Sequence, residues 1–186
     1  MKPLFTVHAG EYLVGSHIEK HYKKWNVWVP AKDTGIDLLV TNAENTKSVS
    51  LQVKYSKDFT PTDRMTLLQT KLAGSGWWSL QAKKIKESKA DLWVFVLPSF
   101  VEYSINYIII SPGELLRRFR VIFHNSEKRI DSYLRVTKSG RCWEARGLKT
   151  ADHEMMAFDR FSDSNRDFTQ FLNSNGWADV EERLKS

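Results

Sequence analysis

The sequence predicts an α/β fold in which helices flank a central mixed β-sheet, and three observations predict it. Val14, Ile18 and Tyr22 recur every four positions, the spacing of one helical face. Residues 91–97 form a nearly all-apolar run closed by Pro98; it is too short for a buried helix and matches an interior strand covered on both faces. Between them, segments 25–29, 36–41 and 48–54 are short and β-type, separated by turn residues. Helix, three strands, helix and two strands is the order of a layered α/β domain.

Taken in order, residues 10–24 read as a helix with lysines and histidines opposite its apolar stripe. Pro30 ends the first strand, at 25–29. Strands 36–41 and 48–54 flank the turn-rich stretch 42–47 and read as a hairpin. Residues 56–76, punctuated by Pro61, Gly74 and Gly76, are expected to be loop with one short helix. Residues 77–89 are expected to form a helix with Trp78, Ala82 and Ile85 on one stripe. A strand follows at 103–110. Ser111-Pro112-Gly113-Glu114 then opens a helix, with Ser at the N-cap, Pro at the first helical position and Glu at the third. Segments 133–137 and 141–146 flank Lys138-Ser139-Gly140 as a second hairpin. Polar residues 162–167 lead into an amphipathic helix carrying Phe168, Phe171 and Leu172. Asn175-Gly176 breaks it before a last helix at 177–184. Residues 1–125 are thus expected to be the core. Residues 126–186 are a C-terminal hairpin and helical extension, either a small appendage or part of the same domain, since no flexible linker separates them.

Formal net charge is +6 and the pI about 9.4, which favours an acidic partner such as nucleic acid. Residues 111–150 hold ten Lys/Arg and four Asp/Glu, a net of +6 that equals the whole excess. The single cysteine, Cys142, excludes an internal disulfide and a zinc knuckle. It suits a reducing compartment. The N-terminus lacks a signal-peptide apolar core, and the longest apolar runs are far too short to span a bilayer. The expectation is a soluble cytoplasmic protein. No phosphate-cradling GxxxxGK[ST] loop occurs, so ATP use is not indicated.

The informative segments are Gly35-Ile36-Asp37-Leu38-Leu39-Val40 and Leu51-Gln52-Val53-Lys54. Side chains alternate faces along a strand, so Ser50, Gln52 and Lys54 share one face. A turn centred in 42–47 pairs residues whose numbers sum to 89. Asp37 then lies opposite Gln52, with Cβ atoms about 5 Å apart, and Lys54 projects one step along. Phosphodiester cleavage must stabilise charge at phosphorus and activate a water. A hard divalent cation does both and prefers oxygen ligands. Asp37 can ligate it, as can the Gln52 amide oxygen and the Val53 carbonyl. Lys54 can hold the attacking water or offset phosphate charge.

In this pattern the chain resembles the PD-(D/E)XK nuclease superfamily, which includes restriction endonucleases and Holliday-junction resolvases. The family pattern is an acid on one strand and acid-X-Lys on its neighbour; here it reads Asp37 … Gln52-Val53-Lys54. The family commonly adds a Glu on the preceding helix, and Gly10-Glu11-Tyr12-Leu13-Val14 is similar to that element. Gln81-Ala82-Lys83-Lys84-Ile85 loosely fits a Gln motif of some branches. The resemblance covers residues 10–97. It departs at Gln52, where an acid is usual, and before Asp37, where Asp33-Thr34-Gly35-Ile36 stands instead of a segment ending in Pro. It implies a restriction-endonuclease-like core, Mg²⁺ or Mn²⁺ as cofactor, and Glu11, Asp37, Gln52 and Lys54 as catalytic residues. It implies DNA as partner. Cutting both strands of a duplex commonly takes two active sites, hence a homodimer.

Lys83, Lys84, Lys138 and Arg141 are the expected phosphate contacts, the last two at a hairpin tip that could lie along a DNA backbone. The bland reading is that such charges only solvate the surface. His17 and His21 are four apart on one helix but lack a third ligand, so surface polar residues are the simpler reading. The other histidines, His8, His124 and His153, show no ligand spacing. Trp77-Trp78 reads as core, and Cys142 as an inert buried thiol. Three functions compete: an active metal-dependent endodeoxyribonuclease, a catalytically weakened nucleic-acid-binding protein on the same fold, and a partner-binding protein with an incidental hairpin.

Overall fold

The computed structural model describes residues 9–32, 34–59, 66–124 and 129–185. His8, Asp33, Pro61, Lys128 and the expected 125/126 boundary lie outside them. Helix α1 (Ala9–His21) leads to strands β1 (Trp25–Trp28), β2 (Leu38–Asn42) and β3 (Ser48–Tyr55). Then come α2 (Thr66–Lys71), β4 (Leu72–Gln81), α3 (Ala82–Lys86), β5 (Leu92–Ser99), β6 (Ser104–Ile110) and α4 (Pro112–Ile122). Strands β7 (Arg129–Thr137) and β8 (Cys142–Glu144), α5 (Thr150–Ala157), a 3-10 turn at Thr169–Phe171 and α6 (Ser174–Lys185) complete the chain.

The fold is α/β around a mixed five-stranded sheet ordered β1-β2-β3-β5-β6. Only β3 and β5 run parallel. The parity of β5 assigns the two faces. Leu92, Val94 and Val96 pack with Val14 and Ile18 of α1 and Trp177, Val180 and Leu184 of α6. Trp93, Phe95 and Leu97 face a second layer made of α3, α4 and a three-stranded sheet ordered β4-β7-β8. Burial on both faces is why 92–97 carries no polar residue. Ser111 caps α4 as expected, its hydroxyl accepting from the Glu114 amide.

The expected helix at 77–89 is instead the end of β4 followed by the short α3. The apolar stripe is real, because Trp78, Ala82 and Ile85 all enter one core cluster. A period of two runs through it, with Gly76, Trp78 and Leu80 inward and Ser79 and Gln81 outward. Gly74 and Gly76, read as loop punctuation, mark close sheet-to-sheet contact. A Cβ on Gly76 would collide with the Trp78 indole and sit 3.2 Å from Ser56 Cβ. Residues around Phe168 form only the 3-10 turn. The break before the last helix is at Asn173, in a left-handed conformation (φ 48°), and α6 runs straight through Asn175-Gly176. The sequence reading did not anticipate α5.

Residues 129–185 are woven into both layers. β7 pairs along the whole of β4, from Leu72–Thr137 to Gln81–Arg129, and α6 shares the core of α1. Asn173 completes the edge of β6: its amide donates to the Tyr107 carbonyl and its side-chain oxygen accepts from the Tyr107 amide. Among the described residues no helix is long and apolar enough to cross a membrane.

Candidate active-site cleft

The β2–β3 ladder has the expected register, with Leu38–Leu51 through Thr41–Ser48 all summing to 89. At Asp37 it slips. The Asp37 amide donates to the Leu51 carbonyl at 2.8 Å, a bond one residue out of register that sets two residues against one, as in a β-bulge. Asp37 Oδ2 then accepts the Val53 amide at 2.8 Å. A strand amide points in the plane of its sheet, so this carboxylate oxygen lies in that plane just before β2 begins, where a β2 carbonyl would otherwise be. Asp37 is therefore not side by side with Gln52 on one face, as simple pairing predicts. It is held between the faces, against Val53.

Gln52 and Lys54 do share a face. Their partners in β5 are Trp93 and Phe95, which point into the second layer. Both residues line a cleft of about 500 Å³ between the five-stranded sheet and the β4–α3 corner. Thr34 and Gly35 line it from the loop before Asp37, and Gln81, Lys84 and Lys89 from the opposite wall. Gly35 has φ +85°, a left-handed conformation that favours glycine. Lys54 Nζ sits 5.0 Å from the centroid of the Trp93 ring.

Glu11 arrives from the other face. A Cβ on Gly10 would lie 2.8 Å from Tyr55 Cβ and 3.0 Å from Val53 Cγ1, so only glycine lets the first turn of α1 sit this close to β3. The next residue, Glu11, is 4% exposed. The first turn of α1, with Glu11 buried in it, thus packs against Val53 and Tyr55 on one side of β3, while Gln52 and Lys54 face the cleft on the other.

The oxygen donors are those of a hard divalent cation. Asp37 and the neutral oxygens of Gln52 and Val53 would hold it. Among the described residues no group of three or more His, Cys, Asp or Glu could hold a metal.

The expected phosphate contacts separate. Lys84 lines the cleft. Lys83 points to solvent and lies 3.9 Å from Glu87. Lys138 and Arg141 stand at the far end of the second sheet. Thr137 pairs with Leu72, whereas Gln81 of the cleft pairs with Arg129, nine residues of β4 away, about 30 Å. Lys138 is bonded to Glu102 at 2.7 Å and Arg141 to Asp167 at 2.9 Å. His17 stacks on Trp177, with centroids 5.2 Å apart, and burial lowers its pKa to about 4; it belongs to an aromatic cluster rather than to open surface. Cys142 is fully buried, and burial raises its thiol pKa well above the ordinary value.

Sequence reasoning missed Trp93, Trp78 and Lys89. Their approach to Gln52 and Lys54 follows from the β3–β5 register and from the existence of β4, neither of which a local pattern shows. Compared with known protein families, with curated proteins and with solved structures, the chain matches none.

Proposed function

We propose that the protein is a metal-dependent endodeoxyribonuclease with a PD-(D/E)XK, restriction-endonuclease-like core. One observation supports the reading. The Asp37 carboxylate accepts the Val53 amide on β3, and Gln52 and Lys54 of that strand line a cleft whose other wall adds Lys84 and Lys89, while Gly10 brings the first turn of α1 against Val53 and Tyr55. Bound Mg²⁺ or Mn²⁺ would supply Lewis acidity toward the scissile phosphate. On this reading Asp37 would hold that charge, with Glu11 as the second acid of the site. Lys54 reaches into the cleft as an ammonium able to orient water or to offset charge on phosphorus. Lys84 and Lys89 give a strand backbone two further cationic contacts. The substrate is DNA, a homodimer would cut both strands of a duplex, and a lone buried cysteine fits a cytoplasmic setting.

Incubation with supercoiled plasmid, with and without Mg²⁺ or Mn²⁺, tests the reading. Nicked or linear product is expected only with metal and not with Lys54→Ala. Metal-independent cleavage, or full activity of Lys54→Ala, would refute it. Gln52 favours one alternative, a catalytically weakened DNA-binding protein on the same fold. Gln52→Glu separates the two. For an active enzyme a second strand carboxylate should tighten Mg²⁺ binding by roughly tenfold. For a decayed one it should create cleavage that the parent lacks.

A further inference from the structure

Two tryptophans from different layers meet at Lys54. The Trp93 ring lies beneath the ammonium, 5.0 Å from centroid to Nζ. Trp93 is itself 2% exposed, and its indole N–H donates to Ser88 Oγ at 2.9 Å. Trp78, on β4 of the second sheet, donates its indole N–H to the Lys54 carbonyl at 3.2 Å. Its ring packs edge-on against Phe95, centroids 4.9 Å apart. Phe95 is the β5 partner of Lys54. The backbone of Lys54 is thus tied to one layer and its side chain laid over a fixed aromatic surface of the other.

We infer that Trp93 and Trp78 are positioning residues for Lys54: Trp93 sets where the ammonium stands in the cleft, and Trp78 fixes the strand position from which it reaches. The inference rests on the nuclease reading, in which Lys54 acts as an ammonium. An aromatic face attracts a cation through its quadrupole, more strongly as water is excluded. A lysine has four rotatable bonds and a flexible stem, so a ring at a set depth selects among its rotamers. The indole–Ser88 bond in turn stops the ring from tilting. Other charges act on the same ammonium. Lys84, Glu87 and Lys89 line the cleft from α3 and the turn after it, and Asp37 lies at the end of β2 against Val53. The Trp93 contribution must be read over that background, which every variant below retains.

The test compares Trp93→Leu, Trp93→Phe, Ser88→Ala and Lys54→Ala as full-length proteins. Each is checked for cooperative unfolding and assayed for single-turnover plasmid nicking across a series of protein concentrations, so that the rate constant and DNA affinity are read separately. Trp93→Leu should lower the rate constant roughly five- to tenfold with unchanged DNA affinity. Trp93→Phe restores a ring face and should recover most of the loss. Ser88→Ala, which leaves the core packing intact, should lower the rate two- to threefold with unchanged affinity. If Trp93→Leu keeps the parent's rate constant while Lys54→Ala is dead, the positioning role is overturned and the nuclease reading stands. If Lys54→Ala is active, the nuclease reading itself fails. A rate loss in Trp93→Leu that Trp93→Phe does not recover would mark a packing defect and overturn the inference as well.

Discussion

Basic residues do different work at the two ends of the second sheet. At the cleft end, Lys54, Lys84 and Lys89 line open volume. At the other end and along β7–β8, cations are spent inside the protein. Arg118 is buried, bonded to Glu114, donates to the carbonyls of Ser164, Asn165 and Asp167, and lies over the Phe168 and Phe171 rings. Arg166 is bonded to the fully buried Glu144 at 2.6 Å. Arg135 contacts His153 Nδ1 at 3.0 Å. Arg118 and Arg135 of the segment with the largest positive excess, together with Arg166, thus form internal contacts around the second sheet, while Arg117, Arg120, Arg129, Arg146 and Lys149 stay exposed. Net charge counts residues, whereas recognition depends on which of them still face solvent.

The comparison is broken most sharply at the acids. If the nuclease proposal holds, Asp37→Asn should reduce cleavage by roughly a thousandfold or more, because Asp37 would be the principal anion holding the metal. It should leave the fold intact. The carboxamide oxygen can still accept the Val53 amide, whereas Asp37→Ala would orphan that amide at a cost of about 1–3 kcal/mol. Asp37→Asn that cuts at the parental rate would remove Asp37 from the site. Melting curves of the two variants, run side by side, separate its chemical role from its structural one.

At the network end the large effect should be on stability. Arg166→Ala leaves Glu144 buried without its guanidinium partner, and breaking a buried pair costs about 3–5 kcal/mol. For a chain of this size that lowers Tm by roughly 10 °C, with DNA affinity unchanged. The network also sets the pH dependence. Burial raises the Glu144 pKa to about 7, against the pull of the Arg146 amide, Arg166 and the Tyr133 amide. A carboxyl raised in the folded state contributes stability that is present below its ordinary 4.5 and lost as pH rises through about 7. His17 and His153 act in the opposite sense. Burial lowers both to about 4, so their contribution is present above 6.5 and lost as pH falls toward 4. Thermal stability should therefore peak near pH 7, where the proton balances of the two histidines and the carboxyl cancel. Glu144→Gln should remove the fall above that pH and steepen the rise below it, and a parent whose Tm rises steadily to pH 8 would contradict this assignment.

The sequence disclosed most where the determinants are local. The β2–β3 register followed from one turn and two alternating runs, and the α4 cap from four consecutive residues. The helix at 77–89 failed because Trp78, Ala82 and Ile85 satisfy a helical stripe while Gly76, Trp78 and Leu80 satisfy a strand. What decides between them is β7, some fifty residues on, which pairs with β4. The slip at Asp37 was illegible for a related reason. Alternation assumes an unbroken ladder, and a carboxylate that replaces a carbonyl in the sheet plane obeys no face rule. The ion pairs of Lys138 and Arg141 were illegible because Glu102 and Asp167 lie 36 and 26 residues away along the chain.

The smallest expected effect is also the most direct test of where DNA lies. Lys84 and Lys89 line the cleft, so Lys84→Ala/Lys89→Ala should weaken duplex binding several-fold at moderate salt. Each lost phosphate contact removes about 0.9 from the log–log salt slope, so the slope should fall by nearly 2. Lys138 and Arg141 already engage Glu102 and Asp167. Exposed pairs of this kind contribute only about 0–1 kcal/mol each, so removing both cations should change stability little. It should leave the salt slope unchanged, since neither releases a counterion on binding. Both double variants are compared with the parent by filter binding across a salt series, in Ca²⁺ to prevent cleavage. If the slope falls for Lys138→Ala/Arg141→Ala and not for the cleft pair, DNA runs over the hairpin tip. The ion pairs with Glu102 and Asp167 then open on binding, and the cleft is not the path of the strand.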